Sequence, residues 1–148
     1  MSDDAHLAAQ KRIQLVMGGQ FFAMGVITLL CPSHVIRYGT NPSIVSDSPG
    51  ARFMTRCFGS QAALQGVLLL TCEFKTRTWL WWGAAIVPFL VFNVLCSPVG
   101  PFPALSWLGV LGDGIGNIFF LSCCVVGFLR SKLVTKLQRR GDTREHSE

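Results

Sequence analysis

The sequence predicts an all-α, membrane-embedded four-helix bundle, running up-down-up-down with both termini cytoplasmic. Three observations carry this reading. Half of the 148 residues are hydrophobic and only 14% are charged, whereas a soluble domain carries about a quarter charged residues. The apolar residues are gathered into four runs, each long enough to cross a bilayer. The basic residues flank these runs with a strong bias to one side.

The first run, Ile13–Cys31, has no formal charge over 19 residues, and the second, Phe53–Cys72, has one, Arg56. The third, Trp79–Cys96, has none over 18 residues, and the fourth, Leu105–Leu129, has one, Asp113, over 25. A spanning helix needs about 20 mainly apolar residues, at a rise of ~1.5 Å each, to cross a core of ~30 Å. Unpaired backbone groups are costly in hydrocarbon, so each run is expected to be helical along its length. The runs lack the alternation of barrel strands. They make one expected domain over residues 1–148, with a polar flank at 1–12 and a basic tail at 130–148. Lys11 and Arg12 precede the first run as in a signal peptide, but Cys31-Pro32-Ser33 is no small-x-small cleavage site, so the segment is expected to be retained.

Orientation follows from the charges of the short loops. Four spans put both termini and the link between the second and third spans on one side. That side holds ten of the thirteen basic residues, among them Lys11, Arg12, Lys75, Arg77 and Arg130. Arg37, Arg52 and Arg56 fall on the other. The reading therefore makes the chain a multi-pass integral membrane protein with cytoplasmic ends, in a membrane left open. Trp79, Trp81, Trp82 and Trp107 sit where spans enter the bilayer, a place indole rings favour. In the tail, Leu133, Val134 and Leu137 stand among cations. Residues 130–140 are thus either a short helix on anionic inner-leaflet lipids or a solvated flank.

Polar residues inside the runs are the candidate site. An ionisable group in a span costs at least ~2.5–3.5 kcal/mol and is a functional-site hypothesis by default. Topology brings Arg56, Asn93, Asp113 and Asn117 into the external half of the membrane, with Gln61 one to two turns deeper than Arg56. Asp113 is the candidate catalytic residue, and all five are candidate ligand-pocket residues. Two readings stay open: an Asp113–Arg56 clasp that locks helices, or a polar pocket opening outward with His34 and Arg37 near its mouth. The "GDG" around Asp113 also allows the last helix to begin at Gly114, with Asp113 as its cap.

Two stretches echo each other. "GGQFFAMGVITLLC" (Gly18–Cys31) and "GSQAALQGVLLLTC" (Gly59–Cys72) share six residues, including Gly18/Gly59 and Gly25/Gly66. Because successive spans run in opposite directions, Gln20 and Gln61 fall at different depths. The similarity is therefore an inverted pseudo-symmetry or, preferably, shared packing chemistry in which small residues let backbones approach.

Several chemistries have no footing in the sequence. The six cysteines include no CxxC, and no Cys/His spacing suits zinc, so no metal or cofactor is expected. A disulfide among Cys31, Cys57 and Cys96 is allowed if their compartment is oxidising. Nothing points to nucleic acid. "RCFGSQAALQGVLLL", Arg56–Leu70, has the form R-x-x-G-(x)6-G followed by leucines. It resembles the second helix of small four-helix membrane proteins of the DoxX-like kind, mostly of unknown function. Some of these are associated with quinone-linked redox chemistry or biosynthetic gene clusters. The resemblance implies a four-helix outline and marks Arg56 and Gly59 as motif positions; it transfers no catalytic residue.

Three function classes follow, in this order. The first is a non-enzymatic scaffold or accessory membrane component. The second is a small membrane enzyme of isomerase or cyclase type, or a binder of a lipophilic small molecule, using Arg56, Asn93 and Asp113. The third is an oligomeric transporter or channel subunit. The bilayer is the expected partner in all three, with homo- or hetero-oligomers open.

Overall fold

A computed structural model of the chain describes the backbone of residues 3–145 and the side chains of residues 7–136. The described residues form five helices and no strand: α1 (Asp3–Leu30), α2 (Pro32–Gly39), α3 (Pro49–Thr71), α4 (Thr76–Leu95) and α5 (Trp107–Glu145). Three of them, over Leu7–Leu30, Thr76–Leu95 and Trp107–Lys136, are long and apolar enough to cross a membrane. α3 has the length, 23 residues, but carries Arg52, Arg56, Gln61 and Gln65.

The helices run further than the apolar runs. α1 continues back through the polar flank to Asp3, and α5 continues without a break through the basic tail to Glu145. A separate tail helix is therefore absent over the described backbone; the side chains of Leu137, Arg139 and Arg140 lie outside the described residues. α5 starts where Ser106 caps it: the Ser106 hydroxyl accepts from the Gly109 N–H at 2.9 Å and donates to the Tyr38 carbonyl. That cap sets Asp113 inside the helix, about 9 Å past Trp107. Gly114 is not the helix start.

α1 and α3 pack antiparallel with their backbones in contact. A Cβ added at Gly25 would overlap the backbone of Ala63, one at Gly66 the backbone of Phe22, and one at Gly59 the backbone of Leu29. Gly18 meets Leu69 and Leu70. The echoed stretches thus face each other head to tail, so that Gly18 meets Leu70 as Gly59 meets Leu29, and Gly25 meets Ala63 as Gly66 meets Phe22. The shared glycines are packing chemistry in an inverted arrangement. At the terminal end of this hairpin, Gln14 Nε2 donates to the Leu69 carbonyl at 2.6 Å and to the Cys72 carbonyl. These bonds satisfy acceptors that the end of α3 would otherwise leave bare.

α4 and α5 form a second antiparallel hairpin. Thr76 bonds Ser131, Trp79 lies on Gly127 and Gly83 approaches Cys124. The two hairpins meet through α1 and α5, where Gln10 Nε2 reaches the Gly127 carbonyl at 3.4 Å and Phe21 stacks on Phe120 with centroids 4.1 Å apart. The lateral order is α3, α1, α5, α4. Short connections lead one to expect α3 against α4, since only residues 72–75 join them. They do not pack. Phe74, in that connection, stands edge-on to Trp79 at 4.7 Å and against Trp82 at 6.2 Å. This aromatic wedge fills the space at the end the two helices share. The result is an open arc instead of a closed ring.

Candidate functional site

The concave side of the arc is a cleft with two adjoining lobes. The lobe nearer the termini has a volume of about 440 Å³ and is lined by Phe21, Met24, Thr28, Phe58, Gln61, Gln65, Trp81, Trp82, Phe89, Asp113, Asn117 and Phe120, among others. The second, of about 870 Å³, is lined by Val35, Gly39, Thr40, Met54, Pro88, Phe92, Leu105 and Gly112 among others, and shares Met24, Thr28, Phe58, Phe89 and Asp113 with the first. Asp113 stands where the lobes join.

Both ends of the cleft are closed by side chains or backbone. At the capped end, α2 and the segment before α5 are zipped together. Asn41 N–H donates to the Ala104 carbonyl at 2.9 Å, Asn41 Nδ2 to the Pro103 carbonyl at 3.0 Å, and Ser106 N–H to the Gly39 carbonyl at 3.1 Å. Thr40 and Leu105 form an isolated bridge, and a Cβ at Gly109 would overlap Gly39. Pro32 and Ile36 bury the inner face of α2, while His34 and Arg37 are exposed and line neither lobe. The expected outward mouth is thus a roof. At the other end Phe21, Phe120 and Trp82 form the floor, joined to Trp79 through Phe74. The remaining side is the gap between α3 and α4, so the cleft opens sideways.

The five expected site residues divide. Asp113, Asn117 and Gln61 come together in the cleft. Asn117 Nδ2 donates to Asp113 Oδ2 at 2.9 Å, a bond between residues one helical turn apart on one face. Arg56 lies elsewhere: it is exposed, lines neither lobe, and the clasp with Asp113 is not formed. Five residues separate Arg56 from Gln61, which turns the two about 140° apart around a helix, so only one can face the cleft. Asn93 is buried (4% exposed) on the face of α4 that also carries Trp79, Gly83 and Ile86. It lines neither lobe, and neither its amide oxygen nor its nitrogen has a hydrogen-bond partner. The α4/α5 pairings of Thr76 with Ser131 and Trp79 with Gly127, carried forward, put it level with Asp113 in the seam behind the cleft.

Sequence reasoning missed Gln65, Thr28 and the aromatic walls. Gln65 follows Gln61 by four residues, which places both on one helical face; that spacing was a readable signal. Cys31, Cys57 and Cys96 are all free, as are the other three cysteines, so the allowed disulfide is absent. Among the described residues the one ion pair, Arg52 with Asp47 at 2.7 Å, lies at the start of α3. There the Arg52 guanidinium, bonded to both carboxylate oxygens, holds Asp47 below the usual carboxylate range.

The arrangement can hold an elongated apolar molecule along aromatic walls and offer it one carboxyl, the primary amides of Gln61, Gln65 and Asn117, and the hydroxyls of Thr28, Thr40 and Thr55. Among the described residues, Asp113 is the only titratable side chain that lines either lobe. No family model matches the chain, and neither a curated protein nor a solved structure gives a significant match.

Proposed function

We propose that the chain is a four-span integral membrane protein, with both termini cytoplasmic, that binds a lipophilic molecule in the side-opening cleft. Three helices have the length and composition of spans. The case for α3 as the fourth is its packing: it lies antiparallel along α1 from Gly18 to Leu29, and its 23 residues extend about 35 Å. Its two arginines fall in its first eight residues, within reach of a headgroup region, and its glutamines turn to the cleft. Basic residues cluster at the terminal end, which supports placing that end in the cytoplasm. The basic tail is then positioned to attract anionic inner-leaflet lipids.

The cleft is the single observation that carries the binding role. A scaffold whose polar groups only lock helices together would tie those groups to one another, and here the Asp113–Arg56 tie is missing. Proton transfer in the cleft would fall to Asp113 with no second acid or base among the described lining residues to assist it. A mostly apolar cavity with a few convergent polar groups is the form of a small-molecule site. Closed at roof and floor, it would be filled from the bilayer.

Purified protein, washed in detergent and then extracted with organic solvent, tests this by mass spectrometry of the extract. Native protein should retain a discrete lipophilic species at near-stoichiometric amounts. Ala85→Trp, which fills the lobe nearer the termini, should lose that species while still unfolding in a cooperative transition. Identical extracts from a folded Ala85→Trp variant and the native protein would end the proposal.

A further inference from the structure

We infer that the cleft selects a lipophilic amine, an alkyl or polycyclic hydrocarbon bearing one ammonium group, bound with its head at Asp113. The inference rests on the cleft reading above and deepens it. Three features of the cavity converge on this chemistry.

The first is an unbalanced acid. Among the described residues, Asp113 accepts a single side-chain hydrogen bond, from Asn117, and no Lys, Arg or His lines either lobe. A carboxylate taken out of water needs a cation or several donors to offset its desolvation. The expected protein cation, Arg56, faces elsewhere. The second feature is the wall. Phe58 and Phe89 line both lobes, as Asp113 does, and aromatic faces attract ammonium groups, most of all where water is excluded. The third is the set of polar groups sharing the lobe with Asp113: Gln61 and Thr28 carry oxygens that can accept the remaining N–H bonds of a primary ammonium. A fatty acid would set its carboxylate against Asp113 with no cation between. A neutral alcohol would leave the acid's charge unanswered.

The test uses the full-length protein in a nonionic detergent, with radiolabelled dodecylamine as probe and unlabelled dodecylamine, dodecanol and dodecanoate as competitors. All three carry the same chain, so selectivity reports on the head alone. Unlabelled dodecylamine should displace the probe at least about tenfold better than dodecanol, and dodecanoate should be the weakest. Asp113→Asn should weaken probe binding by at least about tenfold, and Arg56→Gln should leave it unchanged. The competitor order on native protein stands even if Asp113→Asn folds poorly. Dodecanol or dodecanoate matching dodecylamine, with Ala85→Trp abolishing binding, would refute the amine and keep the cleft. Retention of the probe by a folded Ala85→Trp variant would overturn the cleft reading as well.

Discussion

The two helical hairpins are built on opposite plans. In α1/α3 the contact is backbone on backbone, with Gly25, Gly59 and Gly66 each against main-chain atoms of the partner helix. In α4/α5 the contact is made by large or polar side chains: Trp79 lies on Gly127, Ile86 and Phe120 are buried, and Asn93 sits unpartnered between the helices. α4 also contains Pro88, which cannot donate to the carbonyl four residues back. Within a membrane, apolar burial does little to drive helices together, so close van der Waals packing between small residues is a main source of adhesion. The first hairpin has that packing along its length. The second has it at Gly83 and Gly127, near the terminal end, and loosens toward Asp113. A rigid wall and a looser one, parted at α3 and α4, leave the cleft between them.

The largest effects should come from filling the tight seam. Gly25→Val or Gly66→Val must push two backbones apart; overpacking of a core costs about 1–3 kcal/mol and occasionally more, so thermal unfolding in detergent should show a large loss or no folded protein. The matching change in the loose hairpin should behave oppositely. Gly116 is buried, yet a Cβ there meets nothing within 4 Å, so Gly116→Ala should be tolerated and gain up to about 1 kcal/mol of helix propensity. If both glycines respond alike, the contrast between the hairpins is mistaken.

A smaller effect sharpens the account of the polar groups. Asn93→Leu replaces a buried amide without partners by an apolar side chain of similar size, and removing such a group is neutral to stabilising by about 1 kcal/mol. A marked loss of stability would mean that Asn93 is satisfied by something in the membrane. For Arg56 and Asp113, a double-substitution cycle of Arg56→Gln with Asp113→Asn should give a coupling below about 0.5 kcal/mol. A larger value would restore the clasp.

The smallest effect should be at Asp47. Its partner Arg52 depresses the folded-state pKa, so the stabilisation exists above the unfolded-state pKa and fades as pH falls through the lower folded value. The pair is exposed and therefore contributes little. Asp47→Asn should leave the unfolding temperature at neutral pH almost unmoved, and a clear drop would give this loop a larger role.

Much of this architecture was readable from the residues. Four apolar runs marked the four long helices, three of which are long and apolar enough to cross a membrane. The i, i+4 spacing of Asp113 and Asn117 put them on one helical face, and the paired glycines pointed to close packing. What stayed hidden was azimuth. Topology fixes how deep a side chain lies, but not which way a helix turns it. Asn93 lies level with Asp113 but in the seam behind the cleft, and Arg56 is turned away from the face of α3 that Gln61 shows to the cleft. The capped end was unreadable for a related reason. α2 and the zip between Asn41 and Ala104 are made largely by backbone bonds between distant segments, which leave little mark on side-chain pattern. The parting of α3 from α4 depends on Phe74 standing between helices whose connection looks like an ordinary tight turn.

An experimental density map of the protein in a lipid nanodisc, read between α3 and α4 beside Asp113, tests the central claim most directly. The expected result is elongated non-protein density passing Phe58 and Phe89, with its polar end at Asp113. α3 packed directly on α4 over a filled interior would contradict it.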